Sequence, residues 1–172
     1  MTFQLMGDRL DRTPRRFFVF LFTVCIGLLA YGLYLQHVVV LVPCPMCIVQ
    51  RYALFLVVLV AGLAGASGRK GIHLSASFLL VVTAAFGAFV AARQSWLQWY
   101  PPEVATCGRD FYGMIEGFPL QRAIPMIFEG GGDCSAVDWT FLGGTIANWS
   151  FLCFVAIALV SLAFAFRLIK SR

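Results

Sequence analysis

The sequence predicts an all-α integral membrane protein: a four-transmembrane-helix bundle with both termini in the cytoplasm and a long external loop between helices 3 and 4. Three observations carry this. Of 172 residues, 60% are hydrophobic and only 12% charged, where a soluble domain carries roughly 25% charged residues. Four apolar segments each reach the ~20 residues a bilayer crossing requires. The charges flanking those segments are sorted by sign.

The first span is expected at about 17–35, introduced by Arg15 and Arg16. Basic residues before an apolar run also mark secretory signal peptides. This run is too long for one, and no small-x-small cleavage site follows. The second span is expected at about 47–66, the third at about 72–92 and the fourth at about 144–166. The chain then reads as a single membrane domain over 1–172, with outer loops at about 36–46 and 93–143. Neither an internal repeat nor a low-complexity segment interrupts it.

Orientation follows from the linkers. Arg9, Arg12, Arg15, Arg16, Arg69, Lys70, Arg167, Lys170 and Arg172 fall on one side with only Asp8 and Asp11. The 93–143 loop holds Arg93, Arg109 and Arg122 against Glu103, Asp110, Glu116, Glu129, Asp133 and Asp138. The positive-inside rule places the basic side in the cytoplasm. The net charge of +5 is therefore a topology signal, and no nucleic-acid partner is expected. Trp96, Trp99, Tyr100, Trp139 and Trp149 gather near the outer ends of the third and fourth spans, as an interfacial aromatic belt does. Within the long loop, the apolar stretch 111–128, broken by Pro119 and Pro125, is expected to lie along the membrane surface. A small loop core is the other reading.

Topology also sorts the six cysteines. Cys25 and Cys153 fall inside spans and read as small hydrophobes. Cys44, Cys47, Cys107 and Cys134 fall on the outer side, where disulfides persist. Four cysteines allow three pairings, and Cys44–Cys47 with Cys107–Cys134 needs least from the fold. Three functions compete. A structural staple across Cys107 and Cys134 would restrain the loop by ~3 kcal/mol, but it leaves Cys44–Cys47 unexplained, because so small a ring restrains little chain. A four-thiolate metal site would want a second close-spaced pair, so no metal is expected. A relay of two exchanging disulfides uses both pairs.

Arg51 bears on the relay. The uninterrupted apolar part of the second span, Tyr52 to Ala66, has 15 residues. At ~1.5 Å each it falls short of a ~30 Å hydrocarbon core, so the span must begin earlier, with Gln50 and Arg51 near the outer interface. Cys47 and Arg51 are four apart and share a helix face. A guanidinium beside a thiol favours the nucleophilic thiolate, and it could equally steady charge on an electron acceptor. The plainer alternative is an arginine snorkelling to the headgroups. No Rossmann glycine fingerprint and no Cys-x-x-Cys-His haem motif is present, so a lipid-soluble carrier reaching the membrane boundary, a quinone, is the natural acceptor.

Pro43-Cys44-Pro45-Met46-Cys47-Ile48-Val49-Gln50-Arg51 resembles the proline-Cys-x-x-Cys-x-x-x-Arg signature of DsbB-type disulfide bond formation proteins. So do Leu97-Gln98-Trp99-Tyr100-Pro101 with Ala105-Thr106-Cys107, and Gly132-Asp133-Cys134 before Trp139. The likeness covers nearly the whole chain, and the combination is far more specific than any single Cys-x-x-Cys. It implies an enzyme of the bacterial inner membrane, a quinone-dependent protein-disulfide oxidoreductase with its active cysteines on the periplasmic side. A reduced DsbA-like thioredoxin-fold partner would attack the loop disulfide, with Cys107 in the mixed disulfide and Cys134 resolving it. Cys44–Cys47 would reoxidise the loop pair. Cys47 would pass electrons to ubiquinone or menaquinone, through a thiolate–quinone adduct or charge-transfer complex, with Arg51 assisting quinone binding. The DsbA–DsbB–quinone route that keeps the periplasm oxidising is an established system, carried over here with the resemblance.

The chain departs from some members in two places. Gln94 stands where a histidine proposed to contact quinone occurs, and Gln50 where an acidic residue occurs. Gln94 is thus the candidate quinone contact by position. His37 does not replace that histidine, and His73, at the cytoplasmic end, reads as a polar interface residue. Two alternatives remain: a structural or adaptor four-span protein with a disulfide-stapled outer loop, like a tetraspanin in outline, and a vitamin K epoxide reductase-like enzyme running electrons the other way.

Overall fold

The computed structural model describes residues 14–101, 125, 128, 132–137 and 139–170. Four long helices dominate: α1 (Pro14–His37), α2 (Pro45–Ala66), α3 (Lys70–Trp99) and α5 (Ile146–Lys170). A single-turn helix α4 (Gly132–Ser135) and a hairpin of β1 (Thr140–Phe141) and β2 (Gly144–Thr145) precede α5. Each long helix is long and apolar enough to cross a bilayer, and the protein is an all-α membrane protein of four spans. Its outward faces carry large apolar side chains, among them Phe78, Phe89, Phe20 and Leu63, all more than half exposed. Such a continuous apolar coat belongs against lipid rather than water.

The helices pack in the order α1–α2–α3–α5. Lipid offers no hydrophobic gain for helix association, so close approach rests on small residues. Ala53, Ala61, Ala64, Ala76, Ala84, Ala88 and Ala91 are all buried. Gly87 is the tightest point: a Cβ there would meet the Phe154 ring at 2.5 Å. At the end distal to Cys44 and Cys47, Phe17 stacks on Phe164 with centroids 4.2 Å apart, which joins α1 to α5.

His73 lies at that distal end, but it is not an interface residue. It is 1% exposed and stacks on Phe18 at 5.1 Å. Its Nε2 lies 3.0 Å from the Ser67 carbonyl and 3.2 Å from that of Ala64. The end of α2 leaves carbonyls without helical partners, and the imidazole supplies one. Sequence position alone could not distinguish this from exposure.

At the other end α3 continues past its apolar run, from Ala92 on to Trp99. Gln94, Ser95 and Leu97 are buried in that extension, and the polar ones among them break the apolar pattern without breaking the helix. The β1–β2 turn places Leu142 and Gly143 at φ 50 and 78, the left-handed pair of a two-residue hairpin. Thr145 then starts α5: its Oγ1 accepts from the Asn148 N–H (3.3 Å) and donates to Gln98 Oε1 (2.7 Å). The second bond pins the start of α5 to α3.

Candidate redox site

Pro45 occupies the first turn of α2, where its missing N–H costs nothing and its fixed φ suits a helix. A residue before proline is driven to extended backbone, and Cys44 has φ −67 and ψ 160. These are the requirements of an N-cap. Cys44 fills that role with sulfur where serine would use oxygen: its Sγ accepts from the Cys47 N–H at 3.3 Å. N-cap and N3 side chains face each other across a helix start, so the two-residue gap brings both sulfurs to 2.7 Å. The Pro-Cys-Pro-Met-Cys string thus builds its own dithiol.

Cys134, on α4, is 1% exposed and packs with Cys44, Met46, Val90 and Leu97 in a cluster separate from the main core. Its side chain hydrogen-bonds Cys44. That bond, then the one with Cys47, then burial, hold the Cys44 thiol well above its ordinary range. Three of the four predicted cysteines therefore converge, and the third joins through Cys44. Cys107 and most of the 111–128 stretch lie outside the described residues. Of that stretch Pro125 and Phe128 are described, and Phe128 leans on this cluster and on Phe89.

Arg51 sits one turn below Cys47, and both line a cavity of about 110 Å³ with Gln36, Gln94, Gln98 and Trp139. The guanidinium has protein partners. It donates to Gln36 Oε1 and, at 3.5 Å, to the Gly32 carbonyl, so the end of α1 fixes it in place. Gln36 was not singled out from the sequence. The available signal was an amide one residue before the end of an apolar helix.

Gln94 reaches the sulfurs directly. Its Nε2 lies 3.2 Å from both Cys44 Sγ and Cys47 Sγ, and its Oε1 lies 3.6 Å from Cys47 Sγ. Gln50 Nε2 donates to Gln94 Oε1 at 2.6 Å. Both amides are buried, at 5% and 4% exposure.

A second, apolar cavity of about 370 Å³ adjoins the first, sharing Leu35, Trp139 and Ile146. It runs between α1 and α5 past Leu28, Tyr31 and Ile157, and Cys153 lines it. The site can thus offer exchangeable sulfurs, a fixed cation and an apolar channel at one end of the bundle.

Comparison with known proteins agrees with this architecture. The family described as "Disulfide bond formation protein DsbB" matches residues 14–164. The disulfide bond formation protein B of Albidiferax ferrireducens is 66% identical over 172 residues, covering 100% of this chain and 99% of that protein. Its counterpart in Polaromonas sp. (strain JS666) is 66% identical over 162 residues, 94% of this chain and 96% of that protein. The counterpart in Azoarcus sp. (strain BH72) is 53% identical over 154 residues, 89% and 93% respectively.

Proposed function

The chain belongs to the DsbB family of disulfide bond formation proteins, and on that footing we propose that it reoxidises a periplasmic DsbA-like thiol oxidase and hands the electrons to ubiquinone or menaquinone. It is a multi-pass membrane disulfide oxidoreductase. Its basic helix ends, Arg15, Arg16, Arg69, Lys70, Arg167 and Lys170, lie opposite the cysteines along the spans. By the positive-inside rule the cysteines then face the periplasm across the bacterial inner membrane.

The observation that carries this reading is the meeting of Cys134 with Cys44 while Cys47 shares a cavity with Arg51. Each exchange is thiolate attack on a disulfide sulfur. The partner's thiolate attacks Cys107 of a Cys107–Cys134 disulfide, and Cys134 leaves. The partner's second thiol displaces Cys107, so the partner departs oxidised and the loop pair holds its two electrons and two protons. Cys134 then attacks Cys44, its neighbour, and Cys47 leaves. Attack by Cys107 on Cys134 restores the loop disulfide and frees Cys44 as a thiol.

A bound quinone supplies the sink for two electrons and two protons as the Cys44–Cys47 disulfide closes again. The residues present fit such a group. Cys47 and the Arg51 guanidinium would flank its polar head, and the groove between α1 and α5 would take an apolar tail.

The relay is tested by trapping. The intact, oxidised chain mixed with a reduced DsbA-like protein that keeps only its attacking cysteine should accumulate a mixed disulfide through Cys107 as Cys134 leaves, visible on a non-reducing gel and lost when Cys107 is replaced. An adaptor protein would form none.

A further inference from the structure

Gln94 and Gln50 form a chain of donors ending on the redox sulfurs. From its geometry we propose that Gln94 is a positioning residue that sets the reduction potential of the Cys44–Cys47 pair, with Gln50 holding its amide the right way round. This rests on the reading of Cys44–Cys47 as a redox pair.

A glutamine amide can present either its oxygen or its nitrogen to a neighbour. Here Gln50 and the accepting sulfurs favour one choice. Gln50 Nε2 donates to Gln94 Oε1 at 2.6 Å, so that oxygen is turned toward α2 and the Gln94 NH2 points at the sulfurs. One donor group lies 3.2 Å from each of them. Both side chains are almost fully buried, so water does not compete for the positions and reversed donors would be left unpaired.

Donors aimed at sulfur do not act equally on the two redox states. A disulfide sulfur is a weak acceptor. Reduction of the pair takes up two electrons and can leave one sulfur anionic, and a hydrogen bond to a charged acceptor is about twice as strong as a neutral one. Gln94 therefore favours the reduced state, which makes the pair a better electron acceptor. Neither amide titrates, so any pH dependence of this bias comes from the sulfurs alone. The Gln94 oxygen, 3.6 Å from Cys47 Sγ, can also receive a thiol proton, so the same side chain serves both protonation states.

The plainer alternative is that two buried amides simply bond α2 to α3. The two readings separate on potential. In full-length protein carrying Cys107→Ala and Cys134→Ala, only one redox pair titrates at this end. There, Gln94→Met should lower the equilibrium constant for reducing Cys44–Cys47 about tenfold, a fall of about 30 mV. Gln50→Met, which leaves Gln94 in place but frees its amide to turn, should give a smaller shift in the same direction. Potentials equal to the parent's in both variants, with only the melting temperature lowered, would overturn the proposal and leave the helix-bonding role. A parent pair that forms no disulfide against any redox buffer would instead overturn the proposed function beneath it.

Discussion

Cys44 and Cys47 do different work although two residues separate them. Cys44 is the helix cap, touches Cys134 and is 6% exposed, whereas Cys47 stands one helical turn from Arg51, and both cysteines line the Arg51 cavity. The motif and the i,i+4 relation of Cys47 to Arg51 were readable in the sequence because a helix start fixes them locally. The Cys134–Cys44 contact was not, because it depends on where a distant loop returns. Nor was the seating of Arg51 on Gln36 and Gly32, which joins two helices. Removing the cation should leave exchange with the partner intact while weakening the acceptor site: Arg51→Met should raise the KM for a ubiquinone analogue about tenfold, as loss of a charged donor does, with mixed-disulfide formation unchanged. The Cys44 thiol makes a pH prediction. It binds its proton more tightly folded than unfolded, so its contribution is fully present below the ordinary value of 9.0. It is lost as pH rises toward the higher folded value. The reduced protein should therefore melt at falling temperature above pH 9, and Cys44→Ala should flatten that slope.

Among the elements, α2 and α3 meet the bilayer requirement in unequal ways. The apolar run of α2 is too short, and the arithmetic of rise per residue already implied an earlier start. The structure has it at Pro45. For α3 the polar run Arg93-Gln94-Ser95 looked like the end of a span, yet the helix continues to Trp99 because Gln94 and Ser95 turn inward. An inward glutamine with an interhelical partner is invisible to hydropathy. The β1–β2 hairpin is too short to carry an alternating pattern. Close approach of α3 and α5 was equally hidden, since a glycine in an apolar helix has many meanings. Here it has one: a Cβ at Gly87 would sit 2.5 Å from the Phe154 ring, and Phe154 is buried. Gly87→Ala should destabilise the bundle by about 1–3 kcal/mol, the usual cost of overpacking, read as a lower melting temperature in detergent with the redox pair still able to form.

At the scale of the whole molecule, composition and charge sorting were enough for a four-span bundle with one basic and one cysteine-bearing end. What they could not convey is how the cysteine end is assembled. Sulfurs, buried amides and Arg51 gather round one cavity, and an apolar cavity between α1 and α5 adjoins it. That arrangement suits a protein thiol and an apolar acceptor meeting at the same sulfurs. The proposed orientation predicts that a membrane-impermeant thiol reagent modifies the reduced protein in intact spheroplasts. Modification only after the membrane is opened would reverse the orientation. The most direct test of the account follows quinol formation when purified protein is given reduced DsbA-like partner and a ubiquinone analogue. The wild-type chain should produce one quinol for each partner disulfide formed, and Cys47→Ser should produce none above background. Undiminished quinol formation by Cys47→Ser would contradict the relay at its last step.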